Sequence, residues 1–211
     1  MNALILGGTG LVGGHCLRLL IDSGSYQNVV ALTRRSLEVH SPTLHEALIS
    51  YDDLAAYEPP VHIDHVFCAF GTSIARAGSR EAMHKIDVEI PLALARRMKM
   101  LGASHFSLVS SLGANPNARS FYSQIKGELE VEVTKLGFQS LDIFRPSVIG
   151  GTRKGDARLA ERLAQFFLKM APLSMRTIPA EFIAEAMVRH ALSATGGRRT
   201  IFSKDLWDKN D

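Results

Sequence analysis

The chain has 211 residues, 46% of them hydrophobic and 21% charged, and a net charge of +3. Those values suit a soluble globule of one large domain, and the scattered Lys and Arg excess argues against nucleic acid as a partner. No apolar run approaches the length of a membrane span, and the cysteines Cys16 and Cys68 form neither a disulfide framework nor a metal site. Both cysteines read as small core residues kept reduced, which sets the expected compartment as the cytoplasm. His62 and His65 flank a strand start without metal-ligand spacing and read as surface residues.

Ala3-Leu4-Ile5-Leu6 is a short apolar strand, and Gly7, Gly10 and Gly13 follow it with the spacing G-x-x-G-x-x-G. Leu11, Val12, Leu17, Leu19, Leu20 and Ile21 then carry a helix toward Gly24. Strand, glycine loop and helix in this order suit a dinucleotide. The first glycine makes the tight turn, the second admits the pyrophosphate to backbone N–H donors, and the third lets helix and strand pack closely. The second strand, Asn28–Thr33, runs into Arg34-Arg35-Ser36 with no acid at its end. An acid there would hold an adenosine ribose and repel a 2′-phosphate. Two guanidiniums can fork that phosphate, so NADP(H) is favoured over NAD(H).

A weaker strand at 44–50 and a helical turn at 53–57 precede Pro59-Pro60. Strand 65–69 leads into Ala69-Phe70-Gly71-Thr72, where Gly71 would let backbone pass close to the cofactor. Residues 79–101 have helical periodicity up to Gly102, with Pro91 implying a kink or break. Strand 106–110, a helix at 121–136 ending at Gly137, and strand 140–144 complete the alternation. Such a pattern predicts an α/β Rossmann fold: a doubly wound parallel sheet with helices on both faces and the ligand at the carboxyl ends of the strands. Residues 1–150 are expected to form this NAD(P)-binding core. Residues 151–211 are expected to pack on it as a small substrate-binding lid within one structural domain. An amphipathic helix at 157–170 ending before Pro172, a helix at 180–193 and a short strand at 200–203 are read there.

Ser110 and Ser111 close the fifth strand, and Tyr122 and Lys126 stand four apart on the following helix, hence on one face. An ammonium beside a phenol favours the phenolate, and a serine at the neighbouring strand end can hydrogen-bond the carbonyl oxygen that the tyrosine serves. Neither serine is singled out by position.

Taken together, these motifs resemble the short-chain dehydrogenase/reductase superfamily over essentially the whole chain. They are most similar to its atypical branch, which includes the Tat-interacting-protein oxidoreductase and small bacterial NAD(P)-binding oxidoreductases. Cys68-Ala69-Phe70-Gly71-Thr72 matches CxxGT, Ala77-Gly78 follows, and Ser110 to Ala114 matches SSxGA. Tyr122 to Glu130 matches YxxxKGExE, and Phe144 to Gly151 matches FRPxxxxG. Ser50 stands where relatives often carry an adenine-contacting aspartate.

The resemblance implies Tyr122 as general acid/base, Lys126 as the residue that holds the nicotinamide ribose and tunes Tyr122, and Ser111 as carbonyl polariser with Ser110 behind it. It also implies Thr9, Leu11 and Val12 along the pyrophosphate, and the backbone of Pro146, Ser147 and Val148 past the nicotinamide carboxamide. The expected function is an NADPH-dependent oxidoreductase of a small carbonyl/alcohol substrate, monomeric or homodimeric. The alternative is an NADPH-binding, redox-sensing regulator that acts through a protein partner without turnover. A sugar-nucleotide epimerase needs room for a second nucleotide, for which the tail from Gly151 to Asp211 supplies little wall. Substrate walls are expected from 113–121, from 150–159 and from Phe166, Phe167 and Met170, with Arg153 or Lys154 near the entrance.

Overall fold

The computed structural model describes residues 1–150 and 177–207. Its first six strands are β1 (Asn2–Leu6), β2 (Asn28–Thr33), β3 (Leu44–Leu48), β4 (His65–Cys68), β5 (His105–Val109) and β6 (Ser140–Arg145). Two short strands, β7 (Ile149–Gly150) and β8 (Ile178–Pro179), pair with each other in parallel, and β9 (Gly197–Phe202) follows. The main sheet has seven strands in the order β3-β2-β1-β4-β5-β6-β9, every neighbouring pair parallel. This is the expected doubly wound α/β architecture.

The central strands are apolar throughout because both of their faces are covered. In β1, Leu4 and Leu6 enter one core with Val30, Leu32, Phe106 and Leu108, while Ala3 and Ile5 enter the other with Val29, Phe67 and Phe144. The two-residue period of a strand makes this division. The second core is closed by α1 (Leu11–Asp22) through Cys16, Leu17 and Leu20. The first is closed by the helices between β4 and β6: α2 (Ile74–Ala77), α3 (Arg80–His84), α4 (Ile90–Met100) and α5 (Phe121–Lys135).

The expected kink at Pro91 takes a specific form. Helices α3 and α4 are joined by a π-helical turn, Lys85–Glu89, and the Ile90 N–H bonds to the Lys85 carbonyl five residues back. Proline has no N–H to offer, and the wider turn just before it relieves the ladder without breaking the helix. Asp87 lies in this turn and is fully buried.

In the tail, α6 (Ala180–Leu192) packs beside α1 in the second core, and α7 (Ser203–Trp207) follows β9. The short strand expected at 200–203 is longer and earlier than read: β9 spans Gly197–Phe202 and is the seventh strand of the sheet, paired along β6. The described part of the tail thus completes the Rossmann sheet. The helix expected at 157–170 and the wall residues Arg153, Lys154, Phe166, Phe167 and Met170 lie outside the described residues. No helix among the described residues is long and apolar enough to cross a membrane.

His65 is buried, against its reading as a surface residue, and its Nδ1 shares a 2.8 Å hydrogen bond with the Tyr26 hydroxyl. The polar start of β4 is covered because the chain places β1 on one side of it and β5 on the other.

Candidate active site

At the carboxyl end of β1, Gly7 has φ +95°, and a Cβ there would stand 2.5 Å from the Ala69 carbonyl oxygen. A Cβ on Gly13 would stand 2.0 Å from the Gly7 carbonyl oxygen, so α1 meets the loop backbone to backbone. Gly10 caps α1 with no side-chain hydrogen bond, and the first turn holds no acidic residue. The N–H face formed by Leu11, Val12 and Gly13 therefore suits a pyrophosphate, with exposed Thr9 in the loop before it. Arg34 and Arg35 are both exposed where β2 ends. The Arg34 guanidinium lies 5.3 Å from the centre of the Tyr51 ring, and Tyr51 meets Phe70 edge-on at 4.9 Å. Tyr51 had no assigned role in the sequence; only the return of the chain after β3 places it beside Arg34.

Gly71 has a structural reason besides the expected one. A Cβ at this position would stand 2.8 Å from Asp87 Oδ1 and 3.1 Å from Lys126 Nζ. The missing side chain makes room for an ion pair, in which Lys126 Nζ lies 2.6 Å from Asp87 Oδ1. The other carboxylate oxygen accepts a 2.8 Å bond from the Thr72 N–H. One buried carboxylate thus ties the loop Ala69-Phe70-Gly71-Thr72 to α5. Burial presses the Lys126 ammonium toward neutrality, but Asp87 and Tyr122 beside it outweigh that and raise its pKa above the ordinary lysine value. Its Nζ is 5.8 Å from the centre of the Tyr122 ring, and Tyr122 itself is 39% exposed at the start of α5.

The two serines are chemically distinct. Ser110 is buried and donates a 2.5 Å hydrogen bond to Glu130, which also takes two guanidinium nitrogens of Arg145. A hydroxyl whose proton is committed to a carboxylate cannot also donate to a carbonyl. Ser111 Oγ donates at 3.2 Å to the Leu112 carbonyl, a long local bond that a substrate can replace. Gly127 supports the same region. A Cβ there would stand 2.3 Å from the Asn115 carbonyl carbon and the Pro116 nitrogen, and the Asn115 N–H bonds to the Ser123 carbonyl. Only glycine lets the loop after β5 rest on α5.

Ser110, Ser111, Leu112, Tyr122, Pro146, Ser147, Val148 and Ile149 line one pocket of about 570 Å³. Of the backbone groups expected along a carboxamide, several are already engaged. The Pro146 carbonyl accepts from the Leu112 N–H, the Ser147 N–H donates to Ser203 Oγ, and the Val148 carbonyl accepts from the Ile178 N–H. Carbonyls can accept twice, but one N–H cannot readily serve two acceptors. Glu130 and Arg145 belonged to the quoted motifs without a role, whereas Asp87 carried a single signal, an acidic residue four before a helix proline.

The model of the NAD dependent epimerase/dehydratase family matches residues 3–131. The chain belongs to this family. It is thereby a member of the short-chain dehydrogenase/reductase superfamily, and the family's nicotinamide-dinucleotide dependence agrees with the glycine cradle. Among curated relatives, "Protein FMP52, mitochondrial" of Candida albicans is 36% identical over 170 residues, covering 78% of this chain and 74% of that protein. "Protein fmp52, mitochondrial" of Emericella nidulans is 31% identical over 222 residues, covering 98% of this chain and 94% of that protein. Among solved structures, MoeE5 in complex with UDP-glucose and NAD superposes with a TM-score of 0.73 at 18% identity, covering 96% of this chain and 76% of that one. WbmH of Bordetella bronchiseptica in complex with NAD+ gives 0.74 at 17% identity, covering 98% and 79%. At such identities the likeness shows the fold.

The cytoplasmic expectation is overturned by these relatives, whose names place them in mitochondria. It had rested on reduced cysteines. Cys16 and Cys68 are fully buried, so their thiol state reports lack of access and does not distinguish one reducing compartment from another.

Proposed function

We propose that this chain is an NADPH-dependent oxidoreductase that interconverts a small, partly apolar carbonyl compound and its alcohol in mitochondria. The observation that carries the reading is the convergence of a half-open phenol, Tyr122, and a hydroxyl held only by a long local bond, Ser111, on one pocket at the carboxyl ends of β5 and β6. When bound, the nicotinamide supplies or accepts the hydride. The protein handles the proton and the oxygen. Ser111 donates a hydrogen bond to the carbonyl oxygen, and Tyr122 passes its phenolic proton to the same oxygen in reduction and takes it back in oxidation. Lys126 stays charged behind the tyrosine and is the donor suited to ribose hydroxyls. Leu112, Val148 and Ile149 give the pocket an apolar rim that excludes water from the reacting carbon.

The preference for NADPH rests on Arg34 and Arg35 at the end of β2, with Arg34 held over Tyr51, and on the lack of an acid at that strand end. The mitochondrial setting rests on the names of the relatives, which are mitochondrial proteins. The test is NADPH oxidation against a panel of small aldehydes and ketones, after NADPH saturation has been measured by its fluorescence. Turnover with an apolar carbonyl compound is expected. Tight NADPH binding without turnover across the panel would overturn the reductase and leave a cofactor-binding regulator.

A further inference from the structure

Asp87 is a fully buried carboxylate in an otherwise apolar helix face, and it is brought there by the π turn ahead of Pro91. Its two oxygens serve two parts of the site: Oδ1 faces Lys126 Nζ at 2.6 Å, and Oδ2 accepts from the Thr72 N–H at 2.8 Å. Lys126 is itself only 4% exposed. An ammonium in such a place has lost its hydration and persists only beside an anion. Among the described residues, the titratable groups acting most strongly on Lys126 are Asp87 from the π turn, Tyr122 from its own helix and Cys68 from β4. The Cys68 thiol is pushed up to about 11 by burial, so it is neutral at working pH. Asp87 supplies the counter-charge.

We propose that Asp87 is the positioning residue of this site: its carboxylate keeps Lys126 protonated in the dry interior and ties the β4 loop to α5 through the Thr72 amide. The role extends the oxidoreductase reading, and only its cofactor arm rests on that reading. Without Asp87, burial drives the lysine toward the neutral amine. A neutral amine gives weaker hydrogen bonds to ribose hydroxyls and no electrostatic support to Tyr122. The pairing also accounts for the glycine at position 71, where a Cβ would push into the pair, and gives a use to the π turn ahead of Pro91, which places residue 87 over α5.

The test uses the full chain and Asp87→Asn, beside Lys126→Met and the double variant. Without cofactor, thermal unfolding is followed from pH 6 to pH 10. In Asp87→Asn the folded lysine has a pKa below its unfolded value, so the unfolded state binds the extra proton and stability rises with pH. The gap in Tm from wild type therefore narrows as pH rises, and the Lys126→Met background removes this pH dependence. A gap that stays constant with pH would mean a purely structural carboxylate and would overturn the proposal. In the cofactor arm, NADPH affinity of Asp87→Asn falls about tenfold per pH unit above the lowered lysine pKa, while wild type is flat to near pH 10. Equal pH profiles in the two proteins would overturn the proposal as well. Failure of wild type to bind NADPH would instead overturn the oxidoreductase reading and leave the unfolding result to decide the role of Asp87.

Discussion

Buried charge occurs at both ends of the sheet, and the two ends differ in what they leave open. At the amino ends of the strands, His65 and His105 begin β4 and β5, with His65 bonded to Tyr26 and the two imidazoles 5.1 Å apart edge to face. His105 Nε2 bonds to Asp142 at 2.8 Å, and Asp142 takes a forked pair from Arg199. Among the described residues these groups bond to one another, and none of them lines the pocket that holds Tyr122 and Ser111. At the carboxyl ends, Asp87 with Lys126 and Ser110 with Glu130 and Arg145 are as well buried, yet they stand behind Tyr122 and Ser111, which face a cavity. Burial of charge alone therefore does not mark a site. The mark is a closed ion pair that holds an unclosed hydroxyl at an opening.

The sharpest break between the two ends is at Gly13. Gly13→Ala puts a Cβ against the Gly7 carbonyl with nothing flexible to yield, so NADPH binding measured by fluorescence should be lost even in any protein that folds. Next is Asp142, at the closed end. Asp142→Ala leaves Arg199 and His105 without their anion and should cost about 3 kcal/mol in urea unfolding while turnover per folded molecule is unchanged. Glu130→Gln, at the open end, should lower both stability and kcat, because it frees the Ser110 proton and Arg145 beside the pocket. If both variants lose stability alone, the distinction between the ends fails. Gly127→Ala displaces the Asn115-Pro116 backbone, and should raise KM more than it lowers NADPH affinity.

The pH response separates the ends more gently. Burial, with His105 adding to it, holds the His65 pKa down to about 4 against an ordinary 6.5. A histidine depressed on folding binds its proton better when unfolded, so stability is full above about pH 6.5 and falls as pH drops from there toward 4. His65→Phe should flatten that acid limb in unfolding scans. His84 has the opposite sign. Burial lowers it, but its hydrogen bonds to the Glu89 and Glu128 carboxylates outweigh this and raise its pKa. Its contribution is present below pH 6.5 and lost as pH rises through the folded value. Since the pair is largely solvated, His84→Ala should change Tm by the smallest amount of the series.

Strands, glycine loop and the Tyr122–Lys126 pair were legible because each rests on a short-range rule: alternation, spacing after a strand, or four residues along a helix. The roles of Ser110 and Ser111 were not separable, since Glu130 comes from the next helix and Arg145 from the next strand. Asp87 was hidden for a similar reason. An acid in a helix reads as solvated until the π turn rotates it onto α5. His65 read as a surface residue, and Asp142 drew no reading at all, because burial there depends on which strands become neighbours, as with β9 against β6. Periodicity reports one element at a time, whereas these residues are defined by pairs of elements.

The most direct measurement of the central claim is the steady-state rate of Tyr122→Phe against wild type, at saturating NADPH with a carbonyl substrate found in the panel. The account predicts a loss of about 10²- to 10⁴-fold in kcat with NADPH affinity nearly unchanged, because the phenol supplies a proton and little binding. A variant that turns over at the wild-type rate would contradict it, and would remove Tyr122 from the chemistry.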